Sequence, residues 1–140
     1  MSWFGPCSTL GECPRWDAAT STLTWVETRL FAEIPPPGRP DGMAVDTEGN
    51  VWSAIAGGGH VACFSPAGTE LHREPIPVPT PTSCCFAGPD RDRLIVTTSR
   101  KRMSPTALAA HPGSGHTWDA GRVGATGTPQ LPFAGTLSSP

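Results

Sequence analysis

Apolar and polar residues alternate with period two through residues 40–52, PDGMAVDTEGNVW, with Met43 and Val45 on one side of a polar turn and Val51 and Trp52 on the other. Such alternation predicts a strand, a tight turn at 46–50 and a second strand. The same pattern recurs along the chain. Trp16, Leu23, Trp25 and Glu27 predict a hairpin with its turn at 17–21, and residues 28–34 predict one further strand. PPPGRP at 35–40 then interrupts regular structure, because successive prolines follow an extended path without backbone donors. Residues 51–56 and 61–64 read as strands joined by Gly57, Gly58 and Gly59, a hairpin loop. A phosphate-cradling loop would need a helix directly after those glycines, and HVACFSPAG is not one.

Residues 70–76 predict an outer strand, and PIPVPTPTS forms a second proline-spaced crossover. Strands at 82–87 and 94–98, joined by a turn at 89–93, repeat the unit that began at Asp41. Ser104 suits an N-cap and Pro105 a first helical position, so residues 106–110 predict a helical turn. Residues 116–120 predict a last strand, with a loosely ordered tail over 121–140.

Asp41-Gly42-Met43 and Thr82-Ser83-Cys84 stand about 40 residues apart, the ~40-residue, four-strand period of a β-propeller blade. GECPRW at 11–16 reads as the opening of a third unit. The expected fold is therefore all-β, a partial β-propeller of about three blades forming a single domain over residues 1–140. Glu12, Asp41 and Thr82 fall at equivalent positions, which cluster at one end of a propeller's channel.

Composition fits this picture. The chain has 140 residues, 37% hydrophobic, with 16 glycines and 17 prolines that punctuate short apolar runs. A net charge of −2 and a pI near 6.0 give no electrostatic bias toward nucleic acid or membrane surfaces. Arg100, Lys101 and Arg102 read as a solvated turn. No run approaches the ~18 apolar residues of a membrane span, and the first residues lack a basic and an apolar leader region, so a cytoplasmic protein is expected. The 5 cysteines lack C-x-x-C spacing, which predicts reduced thiols. Cys84 and Cys85, neighbours in a strand, are expected on opposite faces.

The phrases LGECPRWDAATSTLTWVE, PDGMAVDTEGNVWSAIAGGGHVACFSPAG, PVPTPTSCCFAGPDRDRLIVTTSR and LPFAG, in that order, resemble the gluconolactonase/regucalcin (senescence marker protein) family. The resemblance implies a six-bladed propeller with one divalent metal, calcium or zinc, in its channel, hydrolysing sugar or other small lactones. It implies Glu12 and Asp41 as metal ligands, with Asp41 also the general base. It assigns no substrate-binding residue. Six blades need roughly 240 residues, and this chain passes from Glu12 to Asp41 without the segment that carries the family's middle asparagine ligand. Asn50 is no substitute, since it lies at the far end of the strand from Asp41. Cys13 replaces the family's glycine after the glutamate, a soft-ligand candidate.

Two readings follow for this internally shortened member. In one, two copies associate as a homodimer into a complete ring and act on a small-molecule lactone. In the other, the chain is a catalytically inactive remnant with at most weak metal or protein binding. The histidines His60, His72, His111 and His116 show no convincing ligand spacing, and G-x-S-x-G does not occur. Trp16, Trp25 and Trp52 are expected to pack between blades.

Overall fold

Among the described residues, the strands predicted from period-two alternation are present, apart from the one expected at 28–34, in three antiparallel sheets of two, four and three strands. The structure is a computed structural model that describes the backbone of residues 11–17 and 22–27 and, in full, residues 30–130. Two units divide between Glu33 and Ile34. The first contains the hairpin β1 (Gly11–Asp17) and β2 (Thr22–Glu27), in which Glu12 pairs with Val26.

The second unit opens with a four-stranded sheet in chain order, β3 (Arg39–Val45), β4 (Val51–Ala56), β5 (His60–Phe64) and β6 (Glu70–Pro75). Burial falls from the middle of the sheet to its outer edge. VWSAIA and HVACF are buried almost throughout, whereas ELHREP is mostly exposed, as its charged residues require. A three-stranded sheet follows, β7 (Pro81–Ala87), β8 (Arg93–Thr98) and β9 (Thr117–Arg122). Between β8 and β9 lies α1 (Pro105–Ala110), where the Ser104 hydroxyl accepts from the Ala107 amide at 3.1 Å. Among the described residues, no helix is long and apolar enough to cross a membrane.

β7 packs across β3 and β4, as one propeller blade packs on the next. Ala44, Trp52, Val61 and Cys63 from the first sheet meet Cys84, Leu94 and Val96 from the second, and Ile76 and Val78 of the crossover close the cluster. The pleat decides which cysteine joins it. Cys84 is buried there, with its thiol pushed up to about 12 by burial, while the next residue, Cys85, is only half-buried.

The two sheets press closely together at Gly42. A Cβ there would collide with the Ser83 side chain and stand 2.9 Å from its Cα, so the backbones meet only because position 42 lacks a side chain. Gly42→Ala is expected to destabilise the second unit by about 1–3 kcal/mol through overpacking. The check is the urea midpoint, and an unchanged midpoint would mean the sheets do not press together at this point.

Two expectations are corrected. Residues 30–34 form no strand, and Leu30 there is 74% exposed; the segment enters the proline turn in which the Gly38 amide bonds Pro35 O. Residues 28 and 29 lie outside the described residues, as do 18–21 of the predicted first turn. The loose tail expected from Gly121 is also corrected over 121–128. Gly121 and Arg122 complete β9, and the chain then returns to the first sheet. There the Thr47 amide donates to Thr126 O at 2.8 Å, Gly127 bridges to Asp46, and the Thr128 amide and hydroxyl both donate to Val45 O. Small residues allow this return, since any side chain at Gly127 would collide with Phe86. Residues 131–140 lie outside the described residues.

Candidate functional site

Each sheet's first strand carries a register irregularity, and the predicted site residues lie on it or beside it. In β3, Pro40 pairs with Ile55 and Met43 with Ser53, so Asp41 and Gly42 together oppose the single residue Ala54. In β7, Pro81 pairs with Thr98 and Ser83 with Thr97, leaving Thr82 as the extra residue. In β1, Glu12 pairs with Val26 and Arg15 with Thr24, so Cys13 and Pro14 face only Trp25. A bulge bends the strand and re-aims the side chains on it, and bulges concentrate next to active sites.

Asp41 is exposed on its bulge, and Gly42 beside it receives Ser83 from the neighbouring sheet. Thr82, one residue earlier, shares a 2.9 Å hydrogen bond with the Thr97 hydroxyl. The loops at this end are tied together, because the amides of Gly57 and Gly59 both donate to Pro79 O just before β7. Glu12 is placed on β1 of the first unit and Asp41 on β3 of the second. Among the described residues no group of three or more His, Cys, Asp or Glu side chains is arranged to hold a metal. The four histidines are spread over β5, β6 and the α1–β9 loop, and His72 pairs with Glu74 at 3.2 Å.

The far end of β3 holds a different carboxylate, which the sequence reading treated only as part of a polar turn. Asp46 is 2% exposed. Its Oδ1 accepts from the amides of Glu48 and Asn50, both at 2.9 Å, and its Oδ2 accepts from Asn50 Nδ2 at 3.0 Å and Trp52 Nε1 at 2.9 Å. Burial by itself would raise the Asp46 pKa, but the bonds from Trp52, Asn50 and Glu48 outweigh it and hold the carboxyl below its ordinary 3.8. With four donors already bound, Asp46 is a keystone of the turn. The D-x-x-x-N-x-W spacing was the available signal. Asn50, bound to Asp46, is indeed remote from the Asp41 end of the strand.

The model of the SMP-30/gluconolactonase/LRE-like region matches residues 27–100. The chain belongs to this family. Regucalcin from Sus scrofa is 39% identical over 97 residues, which cover 69% of this chain and 32% of that protein. The chain thus spans about a third of the length of the curated relatives it matches. Among solved structures, regucalcin from Agrobacterium tumefaciens, described as a calcium-binding protein, superposes with a TM-score of 0.68 at 29% identity, covering 76% of this chain and 40% of that one. A luciferin-regenerating enzyme gives a TM-score of 0.64 at 29% identity, covering 82% and 38%. These family structures are six-bladed propellers of which this chain covers a part, so its all-β architecture is a partial propeller.

Proposed function

We propose that this family member is a metal-dependent hydrolase of sugar or other small lactones, with Asp41 as metal ligand and general base and Glu12 as the second ligand. The observation that carries the reading is Asp41 itself. It is an exposed carboxylate on a bulge at one end of β3, within the stretch that matches the family model. Two carboxylates offer hard oxygen donors, which suit a hard divalent cation, and that chemistry favours calcium over zinc. The calcium-binding relative supports the same choice.

A bound cation would supply Lewis-acid polarisation of the lactone carbonyl. The Asp41 carboxylate accepts the proton from the attacking water and returns it to the alkoxide released as the acyl C–O bond breaks, so ring opening needs no covalent enzyme intermediate. Association of two chains as a homodimer would complete the ring, and a cytoplasmic location remains part of the proposal. A second reading, an inactive remnant, is favoured by the direct passage from Glu12 to Asp41, which leaves out the segment expected to carry the family's middle asparagine ligand.

Calcium and zinc titrations followed by melting temperature and by hydrolysis of glucono-δ-lactone separate the two. A ligand that binds the folded state raises Tm by mass action. Wild type is expected to show a saturable calcium-dependent rise, with affinity at least about tenfold weaker in Asp41→Ala and in Glu12→Ala. Wild type that neither shifts with metal nor hydrolyses the lactone would leave the remnant reading standing.

A further inference from the structure

The end of β3 remote from Asp41 borders a cavity of about 350 Å3, a size within the ~300–1,000 Å3 of small-molecule sites. Glu48 and Asn50 of the β3–β4 turn, Cys63, and the rings of Trp52 and His72 line it, and residues 123–126 of the return segment complete the lining. Its polar atoms are unevenly engaged. Asp46 is fully occupied by its four donors. Asn50 is 8% exposed and donates through Nδ2 to Asp46 Oδ2 at 3.0 Å and to Glu48 Oε2 at 3.4 Å. Those two carboxylates fix the amide's orientation, because the reverse would set its oxygen against them. Asn50 Oδ1 accepts no hydrogen bond among the described residues and is not sealed in, so it opens onto the cavity. Of the two carboxylates in the lining, only that of Glu48 can take a further strong bond.

The field inside is negative. Burial, reinforced by the charges of Asp46 and Glu48, pushes the Cys63 thiol up to about 11, so it stays neutral. No Lys or Arg in the lining supplies a countercharge. We infer that this cavity binds a small organic monocation, a primary alkylammonium, which donates to Glu48 and to Asn50 Oδ1 and lays its alkyl stem against Trp52 and His72. An ammonium group is all donor and no acceptor, which suits two acceptors with no competing donor between them. One available carboxylate matches one positive charge, and the two rings, with centroids 5.8 Å apart, offer apolar area and attraction for a cation. A calcium ion would want about 6–8 oxygens, and among the described residues no group of three or more His, Cys, Asp or Glu is arranged to hold a metal. The site is separate from Asp41 and does not depend on the proposed hydrolysis.

The test titrates the full chain with butylammonium chloride and, separately, with 1-butanol, following the Trp52 indole N–H resonance, which is assigned by its loss in Trp52→Phe. A saturable shift is expected with butylammonium and none with the neutral alcohol. Glu48→Gln keeps the side chain's shape and removes its charge, and it is expected to weaken binding at least about fivefold. Its urea midpoint should match that of wild type, since the Glu48 side chain makes only the 3.4 Å contact with Asn50. Asp90→Asn removes the same charge from an exposed turn outside the lining and should leave the affinity within about twofold of wild type. Asp41→Ala should leave it unchanged, which keeps this result separable from lactone hydrolysis. No saturable shift, an equal response to 1-butanol, or undiminished affinity in Glu48→Gln overturns the inference. A Glu48-dependent shift with calcium chloride and none with butylammonium also overturns it, in favour of a metal site.

Discussion

Asp46→Ala is expected to cost about 3–5 kcal/mol, a large share of the stability of a domain this size. The carboxylate is buried and accepts four hydrogen bonds, from the amides of Glu48 and Asn50 and from the side chains of Asn50 and Trp52. Alanine leaves those donors facing the space the carboxylate filled, and each donor that water does not reach bears its desolvation cost. The pH dependence follows from the lowered pKa. A carboxyl whose folded value lies below its unfolded 3.8 adds stability that is fully present above 3.8 and is lost as pH falls through the folded value. Urea unfolding of wild type should therefore show a falling midpoint between roughly pH 5 and pH 2, with the fall reduced in Asp46→Ala. A variant as stable as wild type at pH 7 would remove Asp46 from its keystone role.

Trp52→Ala is expected to lose a similar amount, about 3–5 kcal/mol. The indole is 3% exposed and sits in the cluster between the two sheets. It meets Phe86 edge-on with centroids 5.6 Å apart, lies 5.8 Å from His72, and donates its Nε1–H to Asp46. Trp52→Phe separates these contributions. It keeps most of the buried ring and discards the bond to Asp46, so a loss of about 1–3 kcal/mol is expected. Because Asp46 and Trp52 share that bond, the double replacement to alanine should cost less than the sum of the single ones. Strict additivity in denaturant melts would show that the packing and the bond act independently.

The strands were legible because each sheet sets its faces with period two and because glycine and proline mark its ends. The three-glycine loop, the second crossover and the Ser104 cap could be read for the same local reasons. What escaped depends on distant partners. Residues 28–34 carry apolar residues in a strand-like run, but the chain there leads into Pro35, Pro36 and Pro37, and residues 30–34 stay irregular. Residues 121–128 look like a tail because Gly, Ala and Thr carry little apolar area, whereas their order comes from hydrogen bonds to Val45, Thr47 and Arg91. At the candidate site, the blade offset located Asp41 and Thr82. The bulges were invisible, since an extra residue changes the pairing without altering the composition. The same offset also set Ser83 opposite Gly42 in the alignment, and only the approach of the two backbones gave that match a meaning.

The return of residues 126–128 to the first sheet also bears on how this chain acquires its structure. Most strand pairs join neighbours in sequence, so the sheet β3–β6 can assemble from local contacts as soon as residue 75 is available. The bond from Thr128 Oγ1 to Val45 O instead spans 83 positions, and closing so long a loop is entropically costly until the intervening strands are in place. The clasp at residues 126–128 therefore forms late. During synthesis, the end of β3 near Val45 stays uncovered until residues 126–128 have emerged, and that interval is when an incomplete blade edge is open to pairing with another chain.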